Sequence, residues 1–365
     1  MTILSVVGTR PNFVKTAPVI SALRARFPGE RHVLVHTGQH YDRGMSDVFL
    51  EQLDMPEPDH LLGVGSGSHA VQTARVMEGI ETVLELEQPD LVIVPGDVNS
   101  TAAAALVAVK MNIPVAHLES GLRSFDRTMP EEINRVVADA LAEHLFIHSE
   151  DAIENLRNEG IPDERVHFVG NTMIDSLVAV EDRFRALGTA EAFGVTPGNY
   201  LLVTLHRPAL VDGPLLEDVI DRLGEVAREL PVLFPVHPRT RKMMRGMDVS
   251  QAITLIDPVG YLEFLALQAD ARAVLTDSGG VQEETTYLNV PCYTLRDNTE
   301  RPVTVRVGTN TLLGLEPSRI SDILPTLSRF RALNQPPPLW DGRAAERVAD
   351  SVERIMEAGA LALAS

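Results

Sequence analysis

Cysteine is almost missing from this 365-residue chain, where Cys292 stands alone. One thiol excludes an internal disulfide and fits a reducing compartment, so a cytoplasmic location is expected. Lysine is nearly as scarce. Lys15, Lys110 and Lys242 are the only three, and the rest of the 32 basic residues are arginine. A chain that otherwise avoids lysine keeps one beside its first loop, which singles out Lys15. Positive charge is short as a whole: the formal net charge of −19 argues against nucleic acid or an anionic membrane as partner. No apolar run approaches the ~20 residues of a membrane span. The opening Met1–Arg10 stretch has no basic leader before its apolar residues, so it reads as a first strand and not as a signal peptide. No Walker loop, HExxH or paired Cys/His metal spacing is present. The glycines between Gly63 and Gly67 do not follow a strand and open a helix, so they fail the dinucleotide fingerprint. Neither a metal nor a nicotinamide is expected.

What the chain does hold is a repeated grammar. With 44% hydrophobic residues over this length, two domains with ample cores are expected. Ile3–Val7, His32–His36, Leu91–Pro95 and Ile113–Leu118 read as strands. Between them lie apolar-faced helices over 12–26 (with Pro18 inside) and 70–88, and an alanine-rich helix capped by Asn99-Ser100-Thr101. After an expected crossing near Gly170, a helix is expected over 171–187. Strands then follow at Leu201–Leu205, Val232–Val236, Thr254–Ile256 and Ala273–Thr276. Continuous apolar strands alternating with helices indicate parallel sheets covered on both faces. The expected fold is α/β, with two Rossmann-like domains facing a central cleft. Residues 1–170 form the first domain and 171–341 the second. A Pro-rich linker, Gln335–Trp340, leads to a final helix within 342–365 that packs back on the first domain.

Polar residues stand at the carboxyl ends of these strands, where open parallel sheets bind ligands. In the first half they are Arg10, Gln39, Asp97 and Glu119. In the second they are His206, His237 and Ser278. The stretch His117–Arg135 is the densest, with Glu119, Asp126, Glu131 and Glu132 among three arginines and a histidine. Glu131 and Glu132 sit in the first turn of a helix opened by Pro130, where acids also serve simply to match the helix dipole. Ser278-Gly279-Gly280, between a strand and a helix, can offer backbone N–H groups to a phosphate. Arg10, Lys15 and Arg301 can add the positive charge that a diphosphate needs.

These stretches resemble the non-hydrolysing UDP-N-acetylglucosamine 2-epimerases, whose two-domain architecture is that of GT-B glycosyltransferases. The resemblance runs through Gly8–Pro11, Thr37–His40, Gly96-Asp97, His117–Arg123, Pro130–Arg135, Val169–Asp175, His206-Arg207, Pro235–Pro238, Thr276–Glu284 and Arg296–Gly308. It implies that Ser278, Gly279, Gly280, Glu284 and Arg301 hold diphosphate and ribose, with Phe264 and the Val259 backbone at uracil. It places Arg10, Lys15, Asp97, Glu119 and His206 at the sugar and phosphate, adds His237 to the substrate contacts, and makes Glu131 a catalytic carboxylate. A cytoplasmic homodimer serving cell-surface polysaccharide synthesis, with a UDP-sugar as its small-molecule partner, is implied as well.

The chemistry suits such a set. C2 of an N-acetylglucosamine unit adjoins no carbonyl, so its proton is weakly acidic until the C1–O bond to UDP breaks. A carboxylate can then remove it, leaving 2-acetamidoglucal and UDP. Re-addition with the proton on the opposite face gives UDP-N-acetylmannosamine. Groups on both ring faces and cations for the diphosphate are required. Two stretches depart from the family pattern, Tyr41-Asp42 and Pro208–Asp212, and both bear on an activator site. A hydrolysing 2-epimerase that releases free N-acetylmannosamine, or a 2-epimerase of a related UDP-acetamido sugar, is the alternative.

Overall fold

The structure is a computed structural model that describes residues 1–38 and 51–364; Gln39, His40, Tyr41 and Asp42 lie outside the described residues. The chain divides into two compact units, Met1–Ala179 with Pro338–Ser365, and Val180–Pro337.

In the first unit the strands are β1 (Thr2–Val7), β2 (Arg31–His36), β3 (His60–Leu61), β4 (Leu91–Pro95), β5 (Val115–Leu118), β6 (His144–Ile147) and β7 (Val166–Phe168). They form a parallel sheet in the order β3-β2-β1-β4-β5-β6-β7. Successive side chains along each strand feed opposite faces. Leu4 and Val6 join Val92, Val94, Ile80 and Ala104 on one face. Ile3 joins Leu91, Ile93, Val19 and Leu23 on the other, together with Val348 and Val352 of the C-terminal helix Ala344–Ala364. Both faces are therefore apolar, as the unbroken LVIVP of β4 requires. Pro18 lies inside the single helix Arg10–Arg26.

The second unit repeats the design with β8 (Leu201–Thr204), β9 (Val232–Pro235), β10 (Ile253–Ile256), β11 (Ala273–Thr276), β12 (Cys292–Thr294) and β13 (Asn310–Leu312). Its parallel sheet runs β10-β9-β8-β11-β12-β13. Its core joins Leu201, Val203, Phe234 and Leu275 to Leu216, Ile220 and Leu223 of the helix Leu215–Val226.

The structure departs from the sequence-based expectation where the chain leaves the first unit. The helix expected over 171–187 is two helices, Thr172–Ala179 and Glu181–Arg185, with Val180 between them at φ −111° and ψ 7°. The first buries Ile174 and Leu177 in the first unit, whereas the second buries Phe184 in the second unit. One straight helix could not serve two cores, and the chain changes unit at the break. The Pro-rich stretch Gln335–Trp340 does carry the chain back to the first unit, crossing at Pro337–Pro338, and its end is buried there. Trp340 is 1% exposed, and its Nε1 donates to His148 O at 2.9 Å.

Candidate active site

Each sheet reverses its strand order once, between β1 and β4 in the first unit and between β8 and β11 in the second. Loops leaving the carboxyl ends diverge at such a reversal and leave room for a ligand. Among the described residues, the expected polar side chains follow the strands at or next to these two places, one group in each unit.

In the first unit, Asn12 ties the two loops of the reversal together. Its Oδ1 accepts from Gly8 N at 3.0 Å and Thr9 N at 3.1 Å, and its Nδ2 donates to Pro95 O at 3.2 Å. Arg10 opens the helix beyond β1 and is half-buried. One turn on, Lys15 forms a buried ion pair with Glu119, their side chains being 5% and 8% exposed. A Cβ at position 96 would lie 3.0 Å from Lys15 Nζ, so Gly96 leaves space for the ammonium. Glu119 follows β5 with φ +63°, a left-handed conformation that costs a non-glycine residue about 1 kcal/mol or more. Such strain is kept where the surrounding contacts hold it, here at a strand end beside a buried cation.

Asp97, after β4, is held by the helix Pro130–Leu141. Arg135 pairs with its carboxylate and Asn134 donates to its carbonyl at 3.0 Å. Arg135 is in turn braced by Glu132 at 2.9 Å. Glu132 is 2% exposed and also accepts from Ser124 N at 2.9 Å, Ser124 Oγ at 3.0 Å and Phe125 N at 2.9 Å. The two adjacent glutamates thus separate completely. Glu132 is a buried brace, while Glu131 is exposed on the first turn.

Behind this group lies a buried network that the sequence did not reveal. His117 Nε2 is 2.6 Å from Gly96 O and its Nδ1 2.6 Å from Asp139 Oδ1, so the ring donates to both acceptors and fixes the loop carrying Asp97. Asp139 also meets Arg123 Nη1 at 2.7 Å and accepts from Gly121 N at 3.0 Å. Burial pushes the Asp139 carboxyl up, but the charges of His117 and Arg123 outweigh it and hold the group below its ordinary value. Nothing in a 22-residue separation between His117 and Asp139 marks them as partners.

In the second unit, Ser278 precedes the helix Gly279–Leu288; its side chain makes no cap bond, and its own amide donates to Thr276 Oγ1 at 2.9 Å. Arg301 lies against that start: a Cβ at position 279 would be 2.5 Å from Arg301 Nη1, a place only glycine can occupy. Its guanidinium is paired with Glu283 at 2.9 Å and with Glu300 at 3.4 Å. Glu284 is buried and accepts from Gln268 Nε2 at 2.7 Å. Burial raises its carboxyl to about 7, with Glu283 adding to the rise and the Gln268 bond opposing it. His206 follows β8 and His237 follows β9, with ring centroids 5.8 Å apart. His237 Nδ1 accepts from Arg239 N at 3.2 Å and so caps its own helix. Val259 and Phe264 pack, partly buried, against the cluster of Tyr200, Leu202 and Leu267.

The first unit thus presents carboxylates braced by cations, able to move protons. The second presents uncapped backbone amides with a cation and a histidine, able to receive an anionic leaving group.

Comparison with known proteins follows the same line. A family model described as UDP-N-acetylglucosamine 2-epimerase matches residues 24–353. The UDP-N-acetylglucosamine 2-epimerase of Methanocaldococcus jannaschii is 41% identical over 358 residues, covering 94% of this chain and 96% of the relative. The UDP-2,3-diacetamido-2,3-dideoxy-D-glucuronate 2-epimerase of Pseudomonas aeruginosa is 39% identical over 361 residues, 97% of this chain and 100% of the relative. A crystal structure of the Methanocaldococcus jannaschii enzyme in complex with UDP-GlcNAc and UDP superimposes with a TM-score of 0.89 at 40% identity, covering 97% of this chain and all of that one.

Proposed function

This chain belongs to the UDP-N-acetylglucosamine 2-epimerase family, and from that membership we propose that it inverts C2 of UDP-N-acetylglucosamine to give UDP-N-acetylmannosamine without net hydrolysis. The second unit is the UDP-binding domain. The Ser278 hydroxyl and the amides of Gly279 and Gly280 receive the diphosphate, Arg301 keeps positive charge at the helix start, and Glu284 takes the ribose hydroxyls. Val259 and Phe264 flank the uracil, and His206 and His237 face the phosphates. The first unit supplies Asp97, Glu119 and Glu131 for proton transfer, with Arg10 and Lys15 as the cations beside them.

The reaction proceeds in two halves. The C1–O bond breaks with its electron pair going to UDP, and a carboxylate removes the C2 proton to leave 2-acetamidoglucal. UDP then returns to C1 while a proton is delivered to the other face of C2. Cations and helix-start amides that meet the departing charge lower the barrier most, because they are already oriented when the bond breaks.

One observation carries this reading: Glu119 is held at a strand end, in a left-handed backbone, against the buried Lys15. Backbone strain of this kind collects at functional sites. Proton NMR of UDP-N-acetylglucosamine with the protein in D₂O tests it. Deuterium at C2 with the UDP-sugar retained is expected. Free N-acetylmannosamine with UDP would make the protein a hydrolysing epimerase, and unchanged substrate would refute both.

The 39% identity to a UDP-diacetamido-glucuronate epimerase supports a second substrate, which the same assay run on that sugar compares directly. A homodimer in the cytoplasm completes the proposal on the strength of the family resemblance, and light scattering measures its mass.

A further inference from the structure

Asp277 separates β11 from Ser278 and belongs to no ligand contact assigned above. Its side chain is 1% exposed, and its two oxygens have different duties. Oδ2 accepts from the backbone amides of His206 at 2.8 Å and Arg207 at 2.7 Å. Oδ1 lies 2.9 Å from His206 Nδ1. The His206 side chain is 41% exposed, whereas the carboxylate behind it is sealed. Burial pushes the Asp277 carboxyl up, but the His206 contact and the two amides outweigh it and keep the group below its ordinary value. An ionised carboxylate can only accept, so a hydrogen bond across this contact requires the proton on Nδ1 of His206.

We infer that Asp277 is the positioning residue for His206, locking the ring with Nδ1 protonated so that Nε2 is the nitrogen offered to the diphosphate. This rests on the role of His206 proposed above. With Nδ1–H held by a carboxylate, the ring can cycle between two useful forms. As a cation it gives its Nε2 proton to the phosphate oxygen that receives the electron pair of the broken C1–O bond. It is then neutral, with a lone pair on Nε2 that takes the proton back as UDP re-adds. The two backbone bonds stop the loop from turning the ring away. Because Asp277 also precedes Ser278 directly, one residue places both the histidine and the start of the phosphate-binding helix. Its position straight after an apolar strand is the same sequence signal that singled out Glu119.

Asp277→Asn separates this role from a merely structural one. The oxygen of asparagine can keep both backbone bonds, while its NH₂ group faces Nδ1 and forces that nitrogen to accept. The ring then carries its proton on Nε2 and is neutral, and cannot give that proton up without becoming an anion. In ¹⁵N-histidine-labelled protein, with His206 assigned by loss of its signals in His206→Gln, the wild type should show a protonated Nδ1. Asp277→Asn should show an unprotonated Nδ1 and epimerise at least ~10²-fold more slowly. An unprotonated Nδ1 in the wild type, or an unchanged tautomer or undiminished turnover in Asp277→Asn, would overturn the inference. Once His206 is assigned, the wild-type spectrum needs no activity. It therefore stands apart from the assay of the epimerase reading, which fails only if wild-type protein leaves the UDP-sugar unchanged.

Discussion

Glu131 and Glu132 are neighbours of one type in one helical turn, yet their environments assign them opposite work. Glu132 accepts four hydrogen bonds while buried, so Glu132→Gln turns an NH₂ group towards donors and leaves them unsatisfied. A loss of about 1–3 kcal/mol in stability is expected by chemical denaturation, with Arg135 and Asp97 loosened as a consequence. Glu131 is exposed, so Glu131→Gln should leave stability within ~1 kcal/mol. If Glu131 transfers a proton, turnover falls by ~10²-fold or more. Near-normal epimerisation by this variant would reduce it to a dipole-matching charge. Glu284 gives a second prediction, on pH. Its carboxyl is raised by burial from the ordinary 4.5 to about 7, so between those values the folded protein keeps a proton that the unfolded chain has released. Stability from this group is therefore lost as pH rises towards 7. Ribose hydroxyls that donate to it favour the ionised form, so binding below neutrality must expel a proton. UDP-N-acetylglucosamine affinity for an inactive Glu119→Gln protein should climb with pH, by up to about tenfold per unit, and level off above about 7. Calorimetry at about pH 6 in two buffers of different ionisation enthalpy measures the released proton. Its absence would remove Glu284 from the ribose.

Among the elements, the C-terminal helix shows how little of its placement is local. Ala344 and Ala345 donate their amides to Asp175 at 3.1 and 2.6 Å, and Trp340 fills the first unit just ahead of them. Trp340→Ala should cost about 3–5 kcal/mol, seen as an earlier unfolding transition of the first unit. A shift below ~1 kcal/mol would show that the indole is dispensable and that the helix is held by Val348 and Val352 alone. The β4, β8 and β11 strands were legible as apolar runs bounded by glycine, proline or a polar turn. The strands β6, β12 and β13 were not read from the sequence. The break at Val180 was hidden because local propensity favours one helix there, and the competing demand comes from two cores that only folding creates.

For the whole molecule, the proposed location of the nucleotide makes stabilisation unequal. UDP at about 100 times its dissociation constant should add ~2.7 kcal/mol. Hydrogen exchange should slow first around residues 278–284, with the first unit's amides around Trp340 unchanged by comparison. A thermal midpoint that UDP leaves where buffer does would refute the nucleotide assignment.

The one-dimensional pattern was sufficient for the two Rossmann-like domains, because a strand buried on both faces must be continuously apolar and a helix covering it must show a 3.6-residue period. It also marked Asp97, Glu119, His206 and Ser278, because polar residues standing directly after such strands have one place to go, and Lys15 through the scarcity of lysine. Which of those side chains touch was decided only by the tertiary structure. The pairing of Lys15 with Glu119, of Asp97 with Arg135, and of His206 with Asp277 joins positions far apart in the chain. Pairing across such distances depends on strand order. The same reversal between β1 and β4, and again between β8 and β11, brings these loops together, and no local stretch of sequence encodes it.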